Sequence, residues 1–337
     1  MSTPAAVAAF LAAAGLSLAA SAVLVVRLER LGSRLGLSEA LLGLFAALAA
    51  DTPEVTSAVT ALVHGQHDVG AGVVLGSNVF NLAALIGLGA VVAGGIALHR
   101  RVVILEGAVA LWVAAACVTA TAGLISPAAC LVLVLAVLVP YGYVSAVHPA
   151  GRPALPLPAR LRAWLAGAVT EEEEELAAAL EHGRGGLPDA GLAALALAVV
   201  IAASVAMERI ATSLGGRFAV PGVVTGAIVL AAVTSLPNAV AAVFLARRGR
   251  GAATLSEALN SNTLNVLAGL LIPAVIIASP GGLHSGLREA SWYALLTLAA
   301  LALAWTGRGV SRVSGALIIA AYLVFAVTLV TTASGPG

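Results

Sequence analysis

The chain is 337 residues long, 61% hydrophobic and only 10% charged, with a mean hydropathy of +1.05 and a formal net charge of +1. A soluble domain carries about 25% charged residues, so this composition excludes a soluble enzyme, a nucleic-acid binder and a disordered chain. What remains is a polytopic membrane protein, whose abundant Ala and 36 Gly suit close-packed transmembrane helices.

In chain order, apolar runs of about 20 residues, the length that crosses a bilayer core, predict ten spans. The first five are 5–26, 37–63, 69–98, 103–123 and 126–147; the second five are 190–208, 219–246, 254–279, 290–306 and 314–333. The first run lacks a basic leader and is long enough to span before Arg27, so it reads as a transmembrane helix rather than a signal peptide. Cys117 and Cys130 fall inside apolar spans and offer no disulfide framework. The polar segment 148–189 is the only long loop, and it separates a first five-helix repeat over 1–147 from a second over 190–337. Within it, the five glutamates at 171–175 read as a solvated face, and the stretch around Arg160, Arg162 and Trp164 as a short interfacial helix.

All 17 basic residues are Arg, which reads as codon bias rather than function. Their placement sets an orientation. Exits of odd-numbered spans carry thirteen of them and exits of even-numbered spans only Arg209, Arg217 and Arg288. Basic residues prefer the cytoplasmic side, so the acidic loop is expected inside and both termini outside.

An internal repeat organises the whole. AADTPEVTSAV followed by GSNVFN in the first half answers AVTSLPNAVAAV followed by NSNTLN in the second. Pro53 and Pro237, Ser77 and Ser261, Asn78 and Asn262, and Asn81 and Asn265 each lie 184 positions apart. With five spans per half, the second half enters the membrane upside down. Inverted repeats of this kind mark secondary transporters, with substrate held near the midplane where paired helices break.

The chemistry concentrates in the second span. An Asp at the centre of a spanning helix costs about 2.5–3.5 kcal/mol on insertion scales, so Asp51 and Glu54 call for a cavity or an ion. Spacing i, i+3 puts both carboxylates on one helix face. Pro53 between them breaks the helix and frees carbonyl oxygens. With the hydroxyls of Thr52, Thr56 and Ser57, these are hard oxygen donors, suited to Na⁺, Ca²⁺ or Mg²⁺. Ser77 and Asn81, one turn apart, and their counterparts Ser261 and Asn265 extend the donor set. Glu106 reads as structural, Asp68 as a helix cap after His64 and His67 rather than part of an external metal site, and Glu257 as a first-turn charge.

These two segments resemble the alpha-repeats of the cation/calcium exchanger superfamily, which includes the sodium/calcium exchangers. The family pattern is G-T-S-x-P-E followed by G-S-N-x-x-N, once in each half. The resemblance implies an all-α membrane protein of ten transmembrane helices in two inverted five-helix repeats, with the broken helices meeting at the bilayer centre. It implies cation ligands at Glu54, Ser77 and Asn81 from the first half, and at Thr234, Ser235, Asn238, Ser261 and Asn265 from the second; Asp51 joins them on the reading of the residues above.

The implied activity is secondary-active antiport by alternating access. Ca²⁺ would be exported against Na⁺ or H⁺, with spans 1 and 6 sliding over the core. The alternative is exchange of Na⁺ for H⁺, or of another divalent cation such as Mg²⁺ or Mn²⁺. The expected partners are inorganic cations and the lipid bilayer of a prokaryotic plasma membrane, without nucleic acid. No cofactor is expected beyond the transported cations, and no enzymatic role, since H-E-x-x-H and Ser/His pairs are missing.

The departures matter too. Ala50-Asp51 stands where the family has Thr-Ser, Asn238 where it has Glu, and Asn265 where an acid is often found. The carboxylates are therefore gathered in the first repeat. Adjacent carboxylates repel, which makes H⁺ a candidate counter-ion.

Overall fold

A computed structural model describes residues 2–35, 47–146, 160, 163–165, 167–168, 170, 186–277, 283, 286–307 and 309–333. The glutamates at 171–175 and the first turns of the 37–63 span lie outside the described residues.

Helix α1 (Thr3–Arg34) opens with a proline in its first turn and runs through the apolar stretch into its arginines. Residues 47–50 are helical up to a turn at Asp51, and α2 (Thr52–Val63) resumes with Pro53 in its first turn. Helix α3 (His67–Ala93) follows, then strand β1 (Gly95–Ala97), α4 (Arg100–Thr121) and α5 (Pro127–Ala146). After the central segment come α6 (Leu187–Arg217), α7 (Gly222–Thr234), α8 (Leu236–Arg247) and α9 (Gly251–Ile277). Helix α10 (Leu287–Thr306), strand β2 (Gly309–Ser311) and α11 (Arg312–Ala333) complete the chain.

Helices α1, α3, α4, α6, α9, α10 and α11 are long and apolar enough to cross a membrane. Helices α7 and α8 together make a further span, bent by 48° at Ser235, and the apolar part of α5 is shorter. Helix α6 extends past the expected 190–208, because its hydrogen-bond ladder runs on beyond the apolar run into Arg209 and Arg217. Two local expectations are corrected. Asp68 is not a cap: Gln66 occupies that position, no side-chain cap bond forms, and Asp68 sits in the first turn, where a negative charge meets the helix dipole. Glu257 lies beyond the first turn of α9, half-buried.

Burial separates interior from rim. The spanning window of α3 is 94% buried and that of α11 only 22%. Leu11, Val132, Leu295 and Val313 point outward, as side chains meeting lipid tails must. The interior helix pairs closely with the second half at glycines: a Cβ on Gly76 would stand 2.3 Å from the Ala227 backbone, and one on Gly226 2.4 Å from the Val69 carbonyl. Only hydrogen at these positions lets α3 and α7 approach so near. At one end of the bundle β1 and β2 form an antiparallel ribbon, Ile96 opposite Val310, tying the exit of α3 to the turn between α10 and α11. Helix α6 packs along α1, and Arg27 of α1 donates to Asp189 of α6 at 2.8 Å.

Candidate functional site

The site begins with two prolines. Pro53 has no N–H, so the Ala49 carbonyl loses its helical partner; Ser21 of α1 donates its hydroxyl to that oxygen at 3.5 Å. Around the break the ladder persists, with the Asp51 N–H on Ala47 and the Val55 N–H on the Asp51 carbonyl. Pro237 repeats the pattern, with the Ser235 N–H on Ala231 and the Ala239 N–H on the Ser235 carbonyl. Asp51 thus corresponds to Ser235, and Glu54 to Asn238, each 184 positions on. All four side chains are fully buried.

The halves meet diagonally. Asn238 Nδ2 donates to Asp51 Oδ1 at 2.6 Å, and Glu54 lies beside Asp51 and Ser235. Ser261 Oγ also donates to Asp51 Oδ1 at 2.6 Å, while accepting from Asn238 Nδ2 at 3.1 Å and Asn81 Nδ2 at 3.0 Å. A hydroxyl has one donor and two acceptor positions, so the hydrogen bonding of Ser261 is complete. Its counterpart Ser77 is buried with an unpartnered oxygen. The sequence treats the two serines alike; only the packing tells them apart. Thr234 turns its hydroxyl back to the Leu230 carbonyl at 2.9 Å, keeping its lone pairs.

The network runs on through Asn81 Nδ2 to Asn262 Oδ1 at 3.1 Å and Asn265 Nδ2 to Asn78 Oδ1 at 3.2 Å. Directly beyond Asn81 α3 widens into π-helical turns over Leu82–Leu88, and α9 does so from Asn265 itself, over Asn265–Leu271. Such turns are rare and frequent at functional sites.

Of the expected site residues, Asp51, Asn81, Asn238, Ser261 and Asn265 share this hydrogen-bonded network, and Glu54 and Ser235 adjoin it. Nine buried oxygens here lack a hydrogen-bond partner: Asp51 Oδ2, both oxygens of Glu54, the hydroxyls of Ser57, Ser77 and Ser235, and Oδ1 of Asn81, Asn238 and Asn265. Ser57, one of the hydroxyl donors that the sequence places beside the break, contributes one of these oxygens at i+3 from Glu54. The donors are two carboxylates and neutral oxygens, a set for hard cations. Among the described residues no three of His, Cys, Asp and Glu cluster as a metal site; the His64 ring pairs instead with the Thr60 carbonyl and Arg209. Away from the site, Glu106 is buried and accepts from Tyr141 Oη at 2.5 Å, in keeping with a structural role.

Comparison with known proteins gives a consistent picture. A family model described as "Sodium/calcium exchanger protein" matches residues 5–145 and 189–331. A putative antiporter, CaxA, of Alkalimonas amylolytica is 34% identical over 82 residues, 24% of this chain and 26% of that protein. Sodium/potassium/calcium exchanger 4 of Mus musculus is 37% identical over 67 residues, 20% of this chain and 11% of that one. The match therefore spans about a quarter or less of these curated relatives. Among solved structures, the sodium-calcium exchanger NCX_Mj soaked with Na⁺ and Sr²⁺ superposes with a TM-score of 0.62 at 17% identity over 100% of both chains. Native YfkE does so with 0.61 at 17% identity, over 96% of this chain and 89% of that one. At such identity the likeness speaks for the fold. The nearly all-helical membrane chain, with its repeated motif and its match across both halves, belongs to the sodium/calcium exchanger protein family.

Proposed function

We propose that this chain is a secondary-active cation antiporter that binds Ca²⁺ at the junction of its two halves and exports it against Na⁺ or H⁺ by alternating access. The observation that carries this reading is the group of nine unpartnered buried oxygens, three of them from two carboxylates, drawn from α2, α3, α8, α9 and the two breaks at Asp51 and Ser235. Each buried polar group left unpaired costs about 1–3 kcal/mol, so such a cluster persists where a cation enters it. Two carboxylates balance one divalent ion. The ligands are Asp51, Glu54, Ser77, Asn81, Thr234, Ser235, Asn238, Ser261 and Asn265, with Ser57 added. For Ser261 to serve, its bonds to Asp51, Asn238 and Asn81 must rearrange.

The wider layout follows the same reading. Ten spans form two inverted repeats over 1–147 and 190–337, joined by a cytoplasmic loop at 148–189, with both termini outside. Support comes from the arginine distribution and from the two prolines and their flanking residues answering each other across the halves. Helices α1 and α6, paired along their lengths and joined by Arg27 and Asp189, move together over the core.

The test is Ca²⁺ uptake into proteoliposomes with Na⁺ and pH gradients imposed separately. Uptake driven by one of the two, and abolished by Glu54→Gln, supports the reading. Exchange at the parental rate by that variant refutes the ligand assignment, and current far faster than exchange without trans counter-ion would make the protein a channel. A Mg²⁺ or Mn²⁺ preference, or Na⁺/H⁺ exchange without Ca²⁺, would select the alternative substrate.

A further inference from the structure

We propose that Asn78 and Asn262 orient the site without touching the cation: together they decide which end of the Asn81 and Asn265 amides faces it. The inference rests on the cation-binding reading above. Asn78 Nδ2 donates to the Asn262 carbonyl at 3.1 Å, and Asn262 Nδ2 donates to the Asn78 carbonyl at 3.1 Å. Both residues are fully buried.

The consequence is a forced sequence of orientations. A backbone carbonyl can only accept, so each of these amides must present its NH₂ to the opposite backbone, and its Oδ1 is left to face the other way. That oxygen also can only accept. Asn262 Oδ1 therefore faces the NH₂ of Asn81 at 3.1 Å, and Asn78 Oδ1 faces the NH₂ of Asn265 at 3.2 Å. With their NH₂ ends so engaged, Asn81 and Asn265 turn their own Oδ1 atoms into the group of unpartnered buried oxygens. A reversed amide would aim N–H hydrogens at a cation and repel it. Two residues, one from each half and related by the 184-residue offset, thus set the polarity of Asn81 and Asn265.

A helix-gluing role would predict loss of stability alone. An orienting role predicts something a glue does not: the damage disappears when the ligand has no wrong end. Asn78→Ala removes the acceptor that holds Asn265, whereas Asn265→Asp presents oxygen at either end, one of them against the Asn78 Oδ1 acceptor, a repulsion that the loss of Asn78 relieves. The experiment is equilibrium binding of radiolabelled Ca²⁺ to the purified full chain in detergent, for the parent, Asn78→Ala, Asn265→Asp and the double variant. Asn78→Ala should weaken binding about tenfold when Asn265 is intact, a loss of about 1.4 kcal/mol, and less than about twofold when it is introduced into the Asn265→Asp variant. Equal losses in both backgrounds overturn the orienting role while leaving the cation site intact. No Ca²⁺ binding by the parent overturns the site itself, and this inference with it. Should Asn78→Ala not fold, the mirror set of Asn262→Ala with Asn81→Asp carries the same comparison, and its outcomes decide in the same way.

Discussion

Replacing Asp51 by Asn separates cation binding from folding. In the folded chain Asp51 Oδ1 accepts two short hydrogen bonds, from Asn238 and Ser261, both at 2.6 Å, and Oδ2 has no partner. Asparagine keeps an oxygen for both donors. Each bond loses about 1 kcal/mol of charge assistance, but the several kcal/mol needed to bury a carboxylate are recovered. The cation-free protein should therefore unfold at no lower a temperature than the parent. Binding behaves differently. Removing one charge partner of a buried ion costs at least about 3 kcal/mol, or roughly 150-fold in affinity. Calcium at a hundred times the parental Kd stabilises the parent by about 2.7 kcal/mol and would stabilise the variant by only about 0.3 kcal/mol. Thermal unfolding in detergent with and without CaCl₂ reads both quantities. A variant whose Ca²⁺-dependent stabilisation equals that of the parent would show that Asp51 does not hold the ion.

Other outcomes follow from the packing. Gly76→Ala drives a methyl into the Ala227 backbone, 2.3 Å away, so α3 and α7 must part. A loss of about 1–3 kcal/mol is expected, and an unchanged unfolding midpoint would contradict the close crossing. Tyr141→Phe removes the donor that meets buried Glu106. Stability should fall by about 1–3 kcal/mol while Ca²⁺ affinity stays within about twofold, and a large affinity change would bring Glu106 into the transport path. If H⁺ is the counter-ion, Ca²⁺ uptake should depend on pH with no Na⁺ present; uptake that stays flat across neutral pH in those conditions excludes it.

The membrane class, the apolar helices and the proline breaks were legible in the chain itself, because each rests on local information. Hydropathy over some 20 residues marks a span, and a proline between two acids marks a break wherever the rest of the protein lies. Even the pairing of the halves shows as an offset of 184 positions. Tertiary structure decided what depends on how helices turn about their axes and on what stands opposite. It set Asp51 against Asn238 instead of its own counterpart Ser235, and saturated Ser261 while leaving Ser77 open. It also engaged Asn78 and Asn262 with each other's backbone, although both lie inside the same motif as the proposed ligands. An asparagine has two ends of opposite character, and which end it offers is fixed by a neighbour nearly two hundred residues away in sequence, which no local pattern records.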